Sequence, residues 1–381
     1  MFRSPLHDVR TASWLGLALA VTFSVCFVTG LLSHYWQHPP NWLTVPPRPV
    51  WLYRLTQGLH VASGLASVPL LLAKLWAVYP RLWQWPPVRT LAHGLDRLAV
   101  FLLVTVSVFQ LWTGVANAAE DYRGFGFFFT TTHFWMAFAV MGAVLLHTAT
   151  RASIARDALR RAPPVEPVQP APPASQDTAA PPRGGGMTRR GFLAATGVTS
   201  GIVAVTGVAA SVPGLADLGV LAPRDPRVGP QGLPVNKTAA AAGVAAAATS
   251  PGYRLEVVGP VPQQLSIERL AGLPQHTVGL PITCVEGWSA DATWTGVRLR
   301  DLVELAGGAA DAGVRVESLE AAGPYRTSEV GPAHVRDPLT LLALRLNGQP
   351  LALDHGYPAR LIAADRPGVL QTKWVTRVVV L

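Results

Sequence analysis

Apolar residues run almost unbroken through the first 150 positions and again near position 200, whereas the last third alternates apolar with polar residues. Five runs are long enough to cross a bilayer, which takes about 20 apolar residues: 14–33, 55–73, 98–119, 127–150 and 191–216. Trp36, Trp42, Trp51, Tyr53, Trp76, Tyr79, Trp83 and Trp85 cluster at the ends of these runs. Amphipathic rings favour such membrane–water boundaries. From residue 251 the pattern changes. YRLEVVGPV reads as a strand ending in Gly-Pro, and GVRLRDLVELAGG carries apolar residues at near-helical spacing. LLALRLNGQPLAL holds Asn347-Gly348, a hairpin signal between apolar alternations, and TKWVTRVVVL closes the chain as a strand.

Punctuation divides the chain further. PPVEPVQPAPPASQDTAAPPRGGG is too rich in proline to build a core. A second low-complexity stretch, AAAAGVAAAATS, follows Lys237; alanine favours helix, so part of it can be ordered. The expected organisation is a four-helix membrane domain at 1–160, a Pro-rich cytoplasmic linker at 161–186 and an anchoring helix at 187–216. An Ala/Pro-rich linker at 217–250 and an α+β domain at 251–381 follow. The fold class is therefore multidomain: an all-α transmembrane four-helix bundle with a fifth helix, then an α+β domain.

Half of the residues are hydrophobic and 14% are charged, which is too apolar for an ordinary soluble chain. The net charge of +9 does not point to nucleic acid, because the arginines flank apolar runs. Arg3 and Arg10 precede the first run, and Arg81, Arg89 and Arg97 fill the second connection. Arg151, Arg156, Arg160, Arg161, Arg183, Arg189 and Arg190 lie between the fourth and fifth. The positive-inside rule places the N-terminus in the cytoplasm and, five spans later, the C-terminal domain outside. Of the two cysteines, Cys26 sits in an apolar run and Cys284 in the C-terminal domain, so no disulfide framework is expected.

Ionisable residues inside a membrane are functional candidates. His133 and His147 are 14 residues apart on the fourth run, close to four helical turns, so both face one side about 21 Å apart. That spacing suits axial ligands to two stacked haems. His60 lies on the second run and His93 at the edge of the third. The membrane part resembles the four-helix b-type cytochromes of the cytochrome b561 and hydrogenase-cytochrome-b group. The resemblance implies haem b, one or two per chain, bis-histidine ligation and electron exchange with the quinone pool. It pairs His60 with His133 for an outer haem and His147 with His93 for an inner one. The chain departs from the pattern at Lys74, which stands 14 residues after His60 where a histidine would be expected.

MTRRGFLAATGVTSGIVAVTGVAA, with Thr188, Arg189, Arg190, Phe192 and Leu193, resembles a twin-arginine export signal placed mid-chain. Such a route carries folded cargo, and with no A-x-A-like cleavage site the segment is expected to remain as an anchor.

Two motifs carry the chemistry of the last domain: ITCVEGWS around Cys284, and HGYPARLIAADRPGVLQTKWV over 355–375. They resemble the molybdopterin-binding domain of the sulfite-oxidase-fold oxidoreductases. The resemblance implies that Cys284 ligates molybdenum and is the catalytic residue, and that His355, Arg360 and Lys373 hold the pterin phosphate, with Arg366 contributing. Soft sulfur suits such a centre, and a guanidinium with an ammonium suits a phosphate monoester. It also places a substrate-pocket residue near Tyr325 and Arg326. CVEGWS is closer to a bacterial methionine-sulfoxide-reductase subunit than to the sulfite oxidases, which carry a CAGN-like form followed by arginines. The domain is short, and neither the sulfite oxidases' dimerisation domain nor a dimer of that type is expected. The resulting expectation is an oxidoreductase of the bacterial inner membrane. It would pass electrons between quinones, haem b and an extracytoplasmic molybdenum site acting on a small molecule, an S-oxide above all. The alternative is a non-catalytic redox-relay or cofactor-binding module with a degenerate domain.

Overall fold

A computed structural model describes residues 5–40, 42–160, 187–222 and 224–381; the Pro-rich linker expected at 161–186 lies outside them. Five long helices come first: α1 (Val9–Gln37), α2 (Leu52–Leu82), α3 (Leu91–Ala118), α4 (Phe129–Arg160) and α5 (Arg189–Val208). All five are long and apolar enough to cross a membrane, with mean hydropathy between 1.5 and 2.2. The first four begin or end outside the apolar runs, because flanking aromatic and polar residues continue the helix. The fifth stops earlier than expected, since Pro213-Gly214 follows a short 3-10 turn at Ala209–Ser211 and Gly214 takes φ +78°.

The chain forms two units. The first comprises residues up to Val25, Ser63–Ala116 and Tyr122–Ala204. Its core joins Leu15 and Leu19 of α1, Leu70 and Ala77 of α2, and Val140 of α4, with Val106, Leu111, Phe192 and Leu193 packed against them. All five helices thus share one cluster, and α5 takes part in it through Phe192 and Leu193. Large side chains such as Phe101, Leu145 and Val198 face outward and are exposed, as suits helices in an apolar surround. Polar groups inside find partners: Ser67 donates to Thr22 Oγ1 (2.8 Å), and Lys74 donates to the Ala12 carbonyl. Gly16 makes room for that ammonium, since a Cβ there would lie 2.8 Å from Nζ.

The second unit comprises Cys26–Ala62, Asn117–Asp121 and Val205–Leu381. After α6 (Ala245–Ala248) come β1 (Leu255–Val258), β2 (Gln263–Leu265), α7 (Ile267–Ala271), β3 (His276–Thr283), β4 (Ser289–Arg298) and α8 (Leu299–Leu305). β5 (Val314–Ser318), β6 (Thr327–Val330), α9 (Pro332–Arg336), β7 (Leu341–Leu346), β8 (Gln349–Pro350), β9 (Arg360–Ile362) and β10 (Val375–Val380) complete it. One sheet runs β2-β1-β10-β5-β6, with β1 and β10 parallel and the other pairs antiparallel. The other runs β3-β4-β7-β8, with β9 also on β7. β-branched residues at every second position, as at Val314 and Val316, put one face of the first sheet against α7 and α8. The Asn347-Gly348 turn joins β7 to β8 with both residues at positive φ, the conformation of a tight hairpin turn.

The stretch expected as a linker at 217–250 is a correction. Leu233 is buried in the core of the second sheet, and Ala239, Val244 and Ala248 pack on Trp374. The Gln231 side chain donates to the Leu346 and Pro350 carbonyls and accepts from the Ala352 amide. Ala239 and Ala248 are therefore buried domain residues, while Ala240, Ala241, Ala246 and Ala247 between them are exposed. The helix ends of this unit are tied to the domain as well. The Asp365 carboxylate accepts from the Tyr53 amide (2.6 Å) and the Trp36 indole (3.1 Å), and Arg48 makes two hydrogen bonds to Asp337.

Candidate functional site

Cys284 closes β3 and opens the turn into β4. Its amide donates to the Trp288 carbonyl (2.9 Å), and Thr283 and Ser289 hydroxyls meet across the hairpin (2.8 Å). Gly287 is needed in this turn: it takes φ +99°, and a Cβ there would run into Val61. The sulfur is 3% exposed and accepts from the Asn236 amide at 2.8 Å. Arg224 donates to Asn236 Oδ1 (2.7 Å), which fixes which end of that amide faces the sulfur. Burial pushes the Cys284 thiol well up, and the neighbouring Glu286 adds to it. A thiolate here therefore requires a strong local positive charge, as a bound metal supplies.

Glu286 is pushed up to about 8 by burial and by sharing a hydrogen bond with Glu120. Its carboxyl also accepts from the Trp288 indole (3.1 Å), and Arg224 pairs with Glu120. The sequence pattern gave no sign of Asn236, Arg224 or Glu120, which come from segments far apart in the chain.

Arg360 is 6% exposed on β9. One terminal nitrogen donates to the His355 carbonyl (3.2 Å), while its buried Nε has no hydrogen-bond partner. Burial lowers it to about 10, opposed by the nearby Cys284. Lys373 donates to the Lys237 and Asp354 carbonyls and stands 4.3 Å from the Trp374 ring centroid. Burial, then the Arg360 charge, lowers it to about 7. Among the described residues neither cation forms an ion pair. A buried cation with an unsatisfied donor beside a half-buried one fits an anionic group such as a phosphate monoester. His355 is also buried, but its Nε2 donates to the Pro230 carbonyl (2.7 Å), and burial lowers it to about 4. It is neutral and fastens the 230 segment. Arg366 lies apart from this cluster on the wall of a cavity and donates to the Leu370 and Glu329 carbonyls.

On the helices, His60 Nδ1 lies 2.8 Å from the Cys26 carbonyl and 3.6 Å from its sulfur. His133 Nδ1 lies 2.8 Å from Thr113 Oγ1. Engagement of one ring nitrogen is how ligating imidazoles are oriented. Gly30 and Gly114 stand against these rings. His147 is half-buried on α4, within electrostatic reach of Lys74, Arg151 and Asp96. His93 sits in the first turn of α3, where its Nδ1 accepts from the Arg89 amide (3.3 Å).

Residues 242–381 match the model of the oxidoreductase molybdopterin-binding domain. The C-terminal segment is thus similar to molybdopterin-binding oxidoreductase domains, those of the sulfite oxidases among them. The chain is 32% identical over 155 residues to the mitochondrial sulfite oxidase of Rattus norvegicus, covering 33% of this chain and 28% of that one. It is 33% identical over 125 residues to "Putative protein-methionine-sulfoxide reductase subunit YedZ1" of Azospira oryzae, covering 32% and 47%. It is 36% identical over 111 residues to "Uncharacterized oxidoreductase YuiH" of Bacillus subtilis, covering 28% and 54%. The chain thus spans between about a quarter and about half the length of these relatives.

Proposed function

We propose that the chain is a membrane-bound molybdopterin-dependent oxidoreductase that carries its own haem-b electron conduit. The observation that carries this reading is the contact between α2 and the Cys284 turn. Gln57 Nε2 donates to the Val285 carbonyl (2.9 Å), and Val61 lies against Gly287. His60 stands between these two positions on the same helix. In this reading His60 and His133 are the candidate ligands of one haem, and α2 is the element that would link His60 to a metal at Cys284. His147, with His93 as the weaker partner, is the candidate pair for a second haem.

At the molybdenum site the roles divide among the chain's own residues. Cys284 supplies the thiolate, Asn236 donates a hydrogen bond that stabilises negative charge on its sulfur, and Arg360 with Lys373 holds the pterin phosphate. The bound cofactor supplies two-electron oxygen-atom transfer. For an S-oxide the balance is two electrons and two protons taken up, with a sulfide and water released. Quinol on the membrane side is the natural electron donor.

The unit that contains the domain also contains residues 26–62 and 117–121, while Arg81, Arg89 and Arg97 and the arginine-rich 151–160 belong to the other. This supports a C-terminal domain outside the cytoplasm of a bacterial inner membrane, delivered through the twin-arginine-like segment. Thr188 accepts from the Gly191 amide (3.1 Å) and so caps the helix that Arg189 and Arg190 begin.

Metal and haem analysis of the full-length protein beside Cys284→Ser tests the proposal. Near-stoichiometric molybdenum with haem b, and a molybdenum paramagnetic spectrum altered in the variant, is expected. Haem without molybdenum under cofactor-competent expression would refute the enzymatic reading.

A further inference from the structure

A cavity of about 560 Å³ lies within the second unit. One wall belongs to the domain and includes Tyr325, His334, Asp365 and Arg366; the opposite wall is 36–40 and 43–45, from the connection between α1 and α2. That connection is fastened on both sides of the cavity. Trp36 donates to Asp365 before it, and Arg48 pairs with the buried Asp337 after it. Val50 then packs on the core that contains Cys284.

One cavity wall adjoins the Cys284 segment. Thr283, next to Cys284, bridges Pro367 on the cavity wall, and a Cβ at Gly368 would lie 3.1 Å from the Thr283 carbonyl. Tyr325 is within electrostatic reach of Cys284. The walls combine an apolar side (Pro40, Leu43, Val45) with a guanidinium, a phenol and a carboxyl. Burial raises that carboxyl, Asp365, to about 6.

We infer that this cavity is the substrate chamber and that the α1–α2 connection is its roof, which limits the enzyme to free, small oxygen-bearing molecules. Its volume falls in the range of small-molecule sites, about 300–1,000 Å³. A methionine sulfoxide within a second protein would have to bring its backbone under a roof pinned at Trp36 and Arg48. The free compound needs only to place its apolar part on Leu43 and Val45 and its oxygen toward Arg366 and Tyr325. The inference rests on the oxidoreductase reading above and names the substrate class of that same site.

The test uses the full-length, cofactor-loaded protein with reduced viologen as donor, which bypasses the haem reading. Free methionine sulfoxide is expected to be turned over with kcat/KM at least 100-fold above oxidised, unfolded casein at equal sulfoxide concentration. Arg48→Ala is expected to narrow that gap at least tenfold. A second readout needs no turnover. Leu43→Cys, half-buried on the cavity wall and compared with the parent chain, is expected to react with a small methanethiosulfonate and resist a polyethylene-glycol maleimide. Free methionine sulfoxide should slow the small reagent. Equal turnover of casein overturns the roof, and turnover without protection of Leu43→Cys overturns the chamber. Protection without turnover, at full molybdenum loading, upholds the chamber and refutes only the oxygen-atom-transfer reading.

Discussion

Arg360 is a charge kept in the interior without a carboxylate, its Nε unsatisfied and its guanidinium 5.5 Å from the Trp294 ring centroid. Leaving a buried donor unmade costs about 1–3 kcal/mol. Arg360→Met is therefore expected to leave the cofactor-free protein as stable or more stable by thermal unfolding. Cofactor retention, read as molybdenum per chain after dialysis, should fall about 10–100-fold, the worth of one charge-assisted hydrogen bond. Asn236 acts differently, since it touches the sulfur and is held by Arg224. Asn236→Leu should keep the fold, shift the molybdenum paramagnetic spectrum, and weaken metal binding about 10–100-fold, as loss of a group supporting a ligand does. Both expectations follow from chemistry at single atoms.

At the scale of elements, α2 is the part on which most depends. Its N-terminus is capped by Asp365, which comes from more than 300 residues later in the chain. Asp365→Ala should destabilise by about 1–2 kcal/mol, the worth of a lost helix cap, read as a lower unfolding midpoint. Gln57→Leu leaves the Val285 carbonyl without that donor. Haem reoxidation on adding an S-oxide should slow at least tenfold at unchanged haem and molybdenum content, measured by stopped-flow absorbance. The helices themselves were legible in the sequence because five apolar runs have no other stable form. So were β10, the α8 helix and the Asn347-Gly348 turn, which depend on neighbours a few residues away. The caps and ties were not. Asp365 reads as one more polar residue in ADRPG, and Asn236 as one just ahead of a low-complexity stretch, because Tyr53 and Cys284, which they touch, lie elsewhere in the chain. The same blindness made 217–250 look like a linker: small alanines carry no periodic signal, and only the Trp374 indole opposite Ala239 and Ala248 makes those two core.

For the whole molecule, two buried histidines set the response to acid. Burial lowers His334 and His355 to about 4, from an ordinary value near 6.5. Each is neutral in the folded chain and takes up a proton more readily once unfolded. Their contribution is thus complete above pH 6.5 and is lost as pH falls toward 4. Glu286 and Asp365, both raised by burial, act in the opposite sense, so the measurable outcome is the difference: across that interval His334→Gln should lose less stability, or gain more, than the parent. Topology is equally open to test. A phosphatase reporter that is active only outside the cytoplasm should be active when inserted at 45 and inactive at 86.

The covalent path from α4 to α5 passes through 161–186, whereas the hydrogen bonds that join the helix ends to the Cys284 domain pass through Trp36, Arg48, Tyr53 and Gln57. Connectivity and adhesion therefore run along separate routes. Breaking the first leaves the second intact, and costs only the effective concentration a tether provides. Fragments 1–160 and 187–381, co-expressed, should complement one another and co-purify. Arg48→Ala combined with Asp365→Ala should weaken that co-purification, leaving the packing of Phe192 and Leu193 on the other helices. A gene carrying this chain could undergo fission at that point and yield two subunits whose recognition surface was already built.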